Sequence, residues 1–160
     1  MENNVKLDLK LLSSSVRELL PIIMNLKYFL KKGDVLILEE IENHLHPENQ
    51  LSLIKYLIKA INMGLNLIIT THSDFIIEKM NNQIRLGNAK KEAFRELNYD
   101  ESDILNFKDT RIYNFKKISD YNFETSKVGI NFTGFNDENF SQVLRELYDE
   151  SGIIIHNKLR

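Results

Sequence analysis

Cysteine is absent from the 160-residue sequence, which removes both a disulfide framework and any thiolate metal site. Charge of one sign is missing too. With 21 basic against 23 acidic residues, no net basic field draws the chain to nucleic acid or to an anionic membrane surface. Apolar runs stop at four or five residues, far short of a membrane span, and the amino terminus MENNVKLDLK has no signal-peptide core. These absences lead to the expectation of a cytoplasmic chain with no membrane partner. What remains, 42% apolar and 28% charged residues, is the composition of an ordinary globular protein.

The most informative stretch is GDVLILEEIENHLHP, residues 33–47. Val35, Leu36, Ile37 and Leu38 run without a polar interruption, as expected of a parallel strand buried on both faces. Glu39 and Glu40 follow at its carboxyl end, the edge at which open α/β sheets bind ligands. Two carboxylates placed there call for a counter-charge such as a metal ion or a nucleotide complex. Beyond Pro47, which suits the first position of a helix, Leu51, Ile54, Leu57, Ile58 and Ile61 fall on one helical face before Gly64 ends it. A second aliphatic strand, within residues 65–70, then leads into Thr71-His72-Ser73-Asp74. Strand, helix and strand at this spacing predict a βαβ unit with parallel strands, so His72 should share a sheet edge with the acidic pair. Ser73 or Asp74 is placed to cap the helix carrying Phe75, Ile76, Ile77 and Met80.

Upstream, Val5, Leu7, Leu9 and Leu11 alternate with polar residues as in a half-buried strand or an extended lead-in. Ser15 and Glu18 have capping-box spacing, which predicts a helix from Val16 with Leu19, Ile22, Ile23, Leu26, Phe29 and Leu30 on its apolar face. Pro21 should bend that helix or confine its regular part to the residues after the proline.

The run VLILEE with IENHLHP resembles the Walker B strand and D-loop of an ABC-type ATPase of the bacterial AAA family, within the P-loop NTPase superfamily. LSSSVRELLP, residues 12–21, is similar to a degenerate signature motif, and LIITTHSD, residues 67–74, to the strand and switch histidine. The three motifs stand in family order over roughly residues 11–80, about half the chain. The resemblance implies an α/β, partial P-loop NTPase-like domain over residues 1–86, with parallel strands 35–38 and 65–70 flanked by helices. A charged helical connector, 87–109, and a small α+β tail, 110–160, would come after it.

For the site, the resemblance implies ATP and Mg2+ as cofactors and hydrolysis at a dimer interface. Glu40 would position the attacking water, Glu39 would organise the magnesium shell through water, and His72 would contact the γ-phosphate. The family normally has aspartate where Glu39 stands and proline where Ile41 stands. Ser13, Ser14 and Ser15 either cap a helix or present hydroxyls and amides to a nucleotide held by the opposing subunit. Where Ser15 stands, the family usually has glycine. Asn43, His44, Leu45 and His46 would form the interface loop; metal binding by His44 and His46 lacks a third ligand at zinc-like spacing.

Past Asn81 the pattern weakens. Ala89–Leu97 is compatible with a charged, solvated helix. Thr110–Lys117 and Tyr121–Phe132 read as two or three short strands, and Glu138–Glu150 as an amphipathic helix. Lys108, Arg111, Lys116 and Lys117 suit the polar face of a strand better than a nucleic-acid surface, which leaves nucleic acid at most an indirect partner.

One family element is missing: no GxxxxGK[ST] phosphate-binding loop occurs in the sequence. The expectation is therefore the carboxyl-terminal part of an ATPase, a fragment or a split or truncated gene product, that works as a homodimer or with a Walker A-containing partner chain. The rival expectation is a non-enzymatic regulatory half-domain that pairs with another ATPase. A metal-dependent nuclease built on Glu39 and Glu40 lacks further acids at matching strand ends.

Overall fold

The computed structural model of the protein describes residues 13–135 and 148–153. The alternating segment at residues 5–11 lies outside them, as does most of the helix expected at Glu138–Glu150. Residues 148–153 are helical. The chain divides into two compact units, Met1–Leu105 and Asn106–Arg160.

The first unit opens with α1 (Ser14–Met24), followed by one π-helical turn, Asn25–Phe29. The helix begins two residues earlier than its capping-box spacing predicts. Ser13 is the cap, its hydroxyl accepting from the Val16 amide at 3.4 Å, because the Ser15 hydroxyl is used elsewhere. Pro21 lies inside the regular helix and does not confine it; its carbonyl accepts from Asn25 Nδ2 at 2.8 Å, just where the winding widens. The expected apolar face is not buried: no α1 residue is, and Ile23 and Phe29 are exposed.

Next come β1 (Val35–Leu38), α2 (Pro47–Asn62) and β2 (Asn66–Ile69). The two strands are parallel and in register, Leu36 opposite Leu67 and Leu38 opposite Ile69. This is the βαβ unit read from the sequence. Pro47 takes the first helical turn as expected. At the other end Gly64, with φ of +100°, donates to the Ile61 carbonyl while Leu65 donates back to Ala60, closing the helix with a left-handed residue.

One expectation is corrected in the strands. Alternate residues are exposed, Val35 54%, Ile37 61% and Ile68 54%, so the sheet is covered on one face and bare on the other. An apolar run records what two faces can bury; among the described residues only one face is given a cover, toward which Leu36, Leu38, Leu67 and Ile69 are half-buried.

The core lies between α2 and α3 (Asp74–Leu86). Leu53, Ile54, Leu57 and Ile58 meet Ile76 and Ile84 there, and Ile41 and Leu45 from the loop after β1 are buried with them. Each such aliphatic side chain contributes roughly 1.5–3 kcal/mol through burial. Helix α4 (Lys91–Glu96) has no buried residue, as its composition indicated. After it, the segment through a 3-10 turn at Glu101–Asp103 is tied back to the helices. Asn62 Nδ2 donates to the Ser102 and Ile104 carbonyls, both at 2.8 Å, and the Leu105 amide donates to the Gln83 carbonyl at 3.1 Å.

The second unit contains an antiparallel hairpin of β3 (Ile112–Ser119) and β4 (Asn122–Val128). A two-residue pairing of β5 (Ile130–Asn131) with β6 (Gly134–Phe135) comes after it. Phe115, Ile118, Tyr121 and Phe123 on the hairpin are all exposed. Among the described residues, no helix is long and apolar enough to cross a membrane.

Candidate functional site

Parallel pairing of β1 with β2 sends both strand ends to one rim, and two hydrogen bonds extend the pairing past the strands. The Thr70 amide donates to the Leu38 carbonyl at 3.0 Å, and the Glu40 amide donates to Thr70 Oγ1 at 3.0 Å. The acidic doublet and the loop carrying His72 are thus held side by side by backbone geometry. Glu39 is exposed, and its carboxylate has no hydrogen-bond partner among the described residues. The Glu40 carboxylate accepts from Asn43 Nδ2 at 2.7 Å.

The loop after β1 is a tight, left-handed structure. Glu40 has φ of +45° and His44 of +58°, conformations that cost a side-chain-bearing residue about 1–2 kcal/mol each. Turn bonds offset this cost: the Asn43 amide donates to the Glu40 carbonyl at 2.9 Å, and the Leu45 amide to the Glu42 carbonyl at 3.0 Å. Burial of Ile41 and Leu45 anchors the same loop to the core. His46 precedes α2 at the cap position without a side-chain capping bond, and its carbonyl accepts from the Asn49 and Gln50 amides.

The serine run reaches this loop within the same chain. Ser15 Oγ donates to the His44 carbonyl at 2.7 Å, so its hydroxyl supports the loop after β1; Ser13 caps α1, and Ser14 is exposed. Between α1 and the loop lies a cleft of about 330 Å3, lined among others by Glu18, Pro21, Glu39, Glu40, Asn43 and His44. Glu18, Glu39 and Glu40 make the lining of this cleft acidic. His72 does not line it.

His72 projects from the loop after β2 with its side chain 70% exposed. Its partner is Glu42, which the sequence places in the D-loop-like run but does not connect with the histidine. The Glu42 side chain is 7% exposed and accepts two hydrogen bonds, from the His72 amide at 2.6 Å and from Thr71 Oγ1 at 2.8 Å, and its Oε1 lies 3.0 Å from His72 Nδ1. A buried carboxylate is tolerable when its lone pairs are occupied in this way. Ser73 stands at the cap position of α3 but does not cap it. Its hydroxyl donates to Gln50 Oε1 at 2.6 Å, which ties the histidine loop to α2, while Gln50 Nε2 donates to the Leu45 carbonyl.

No group of three or more histidine, aspartate and glutamate side chains able to hold a metal exists among the described residues. His44 and His46 belong to no such group. The exposed doublet Glu39–Glu40 instead suits magnesium, an ion that takes one or two protein carboxylates and completes its shell with water and substrate phosphates.

Residues 1–77 match the family model of the AAA ATPase domain. The match spans slightly under half the chain and contains the serine run, the acidic doublet, the loop after β1 and His72. It supports an AAA-type P-loop ATPase family, with a general ATPase function and the use of nucleotide. No curated protein and no solved structure matches the chain significantly.

Proposed function

We propose that this chain supplies the hydrolytic edge of an ABC-type ATPase site that cleaves ATP with Mg2+ at an interface between two subunits. Glu40 positions the attacking water, Glu39 takes part in the magnesium shell, and His72 faces the γ-phosphate. The ion, when bound, neutralises charge on the phosphates. The observation that carries this reading is the shared rim: two in-register parallel strands whose ends are joined by the Glu40 amide and Thr70 Oγ1.

The sequence has no GxxxxGK[ST], so the phosphates must be cradled by residues outside these 160, either on a partner chain or on a further segment. Asn43, His44, Leu45 and His46 form the interface loop in this reading. The serines at the start of α1 contribute in two ways. Ser15 braces the loop through the His44 carbonyl, Ser13 caps α1, and the exposed Ser13 and Ser14 at the start of the helix face the nucleotide of the opposing subunit.

The test reconstitutes the site. ATP binding and hydrolysis are measured for this chain alone and after mixing with a loop-containing amino-terminal partner. Weak or absent binding alone, with turnover on mixing, is the expected result. Glu40→Gln in the complete assembly should keep ATP binding and lose turnover by about a hundredfold or more, the low end for a general base. Turnover that survives the substitution removes Glu40 from the mechanism. Binding with no turnover under any mixture would favour a regulatory half-domain.

A further inference from the structure

His72 is exposed on the rim, with the Glu42 carboxylate beside one of its ring nitrogens. The carboxylate of Glu42, almost wholly buried, holds the residue at two points on one oxygen: Oε1 lies 2.6 Å from the backbone amide and 3.0 Å from Nδ1. Its second oxygen is occupied by Thr71 Oγ1 at 2.8 Å, which fixes the carboxylate's own rotation. The Thr71 hydroxyl in turn accepts from the Ser73 amide at 3.1 Å, so the residues on both sides of the histidine share the network.

We propose that Glu42 is the positioning residue for His72: it clamps the backbone and Nδ1 together, selects the Nδ1–H tautomer and leaves Nε2 as the nitrogen turned to a ligand. The chemistry comes from the donor inventory. An ionised carboxylate only accepts, so a ring nitrogen held 3.0 Å from its oxygen is attracted when it bears the proton and repelled when it presents a lone pair. Which ring nitrogen serves a ligand is set by the bond the other one makes. A histidine side chain free in water leans toward the opposite tautomer, with the proton on Nε2, so Nδ1–H at His72 would be the mark of Glu42. Glu42 belongs to the loop after β1 and His72 to the loop after β2. The clamp therefore fixes the imidazole relative to the acidic doublet as well as relative to its own strand.

The catalytic meaning of this arrangement rests on the proposed reading of His72 as the phosphate-facing group, but the tautomer is measurable without any nucleotide. The experiment is a long-range proton–nitrogen correlation spectrum of the ring nitrogens of the full chain, at a pH where His72 is neutral. His72→Asn identifies its signals among the four histidines. Wild-type protein is expected to show Nδ1–H. Glu42→Gln, whose amide oxygen still accepts, is expected to retain that form, and Glu42→Ala to swing it to Nε2–H. A wild-type spectrum with Nε2–H overturns the proposal, as does a folded Glu42→Ala protein with an unchanged tautomer. Should Glu42→Ala fail to fold, the wild-type spectrum alone still decides. In the reconstituted ATPase, Glu42→Ala should lower kcat with little change in KM for ATP, and Glu42→Gln should restore most of it. If Glu40→Gln leaves hydrolysis intact while the tautomer behaves as stated, the ATPase reading fails and the clamp stands.

Discussion

Asp100 lies near the 3-10 turn that ties the segment after α4 to α2. Its carboxylate accepts from the Ser102 hydroxyl, from Lys59 Nζ at 3.0 Å and from the Ser102 amide at 2.8 Å, and these bonds hold its pKa down at about 2 from the ordinary 3.8. Lys59, chiefly through its bond to Asp100, is raised above 10.5. A carboxylate depressed by folding contributes stability above its unfolded pKa and loses it as pH falls through the folded one; a raised lysine contributes below its unfolded pKa and loses it as pH climbs through the folded one. The pairing should therefore act at full strength between about pH 4 and pH 10 and fade on both sides. Asp100→Asn is expected to lower the thermal midpoint modestly at neutral pH, with the difference from wild type vanishing between about pH 4 and pH 2. Melting curves across that range check it; a difference that persists at pH 2 would show that the loss is steric and not electrostatic.

The elements differ sharply in what they contribute. Leu57 on α2 is fully enclosed, and truncation to alanine leaves a cavity in the only apolar layer shared by α2 and α3 among the described residues. Leu57→Ala should cost about 2–5 kcal/mol. Ile37→Thr on the bare face of β1, 61% exposed, should stay within about 0.5 kcal/mol, since it keeps a β-branched residue and opens no cavity. Urea titration of both variants makes the comparison, and a large loss at Ile37 would mean that its face is covered in solution. The same two positions show how far the sequence was legible. The βαβ order could be read because Pro47 and Gly64 bracket a helix with a clear apolar stripe. Coverage of β1 could not, because a continuous aliphatic run is the same whether one face or both find a partner. The site divides in a similar way. The placement of Glu39, Glu40 and His72 at one sheet edge was readable from the strand ends, whereas nothing in the spacing of Glu42 connects it with His72. Only the return of β2 brings the His72 amide, the imidazole and the Thr71 hydroxyl to its carboxylate. The start of α1 departs from its spacing rule for a related reason: Ser15 satisfies the rule, but His44, 29 residues away, claims its hydroxyl.

Across the whole molecule, ordered backbone and buried side chains are not distributed together. In the first unit the loop after β1, α2 and α3 share one apolar core, so their amides can open only when that core opens. In the second, the β3–β4 hairpin has a long ladder but little burial: among its residues none is buried, and Phe115 and Tyr121 are 71% and 94% exposed. Two strands without a covered face are marginal in water whatever their hydrogen bonding. Hydrogen exchange should therefore rank the chain by burial. Amides of residues 53–60 in α2 and 77–84 in α3 are expected to exchange slowest, those of β1 and β2 next, and those of β3 and β4 at least about a hundredfold faster than the helices. Addition of a loop-containing partner with ATP should slow the amides of β1, β2 and the loop at residues 40–46, which are the segments that lead to the proposed site, and leave the hairpin unchanged. A hairpin as protected as α2 in the isolated chain would mean that its aromatic side chains are covered by a second surface. A partner that slows only the hairpin would move the point of assembly away from the rim.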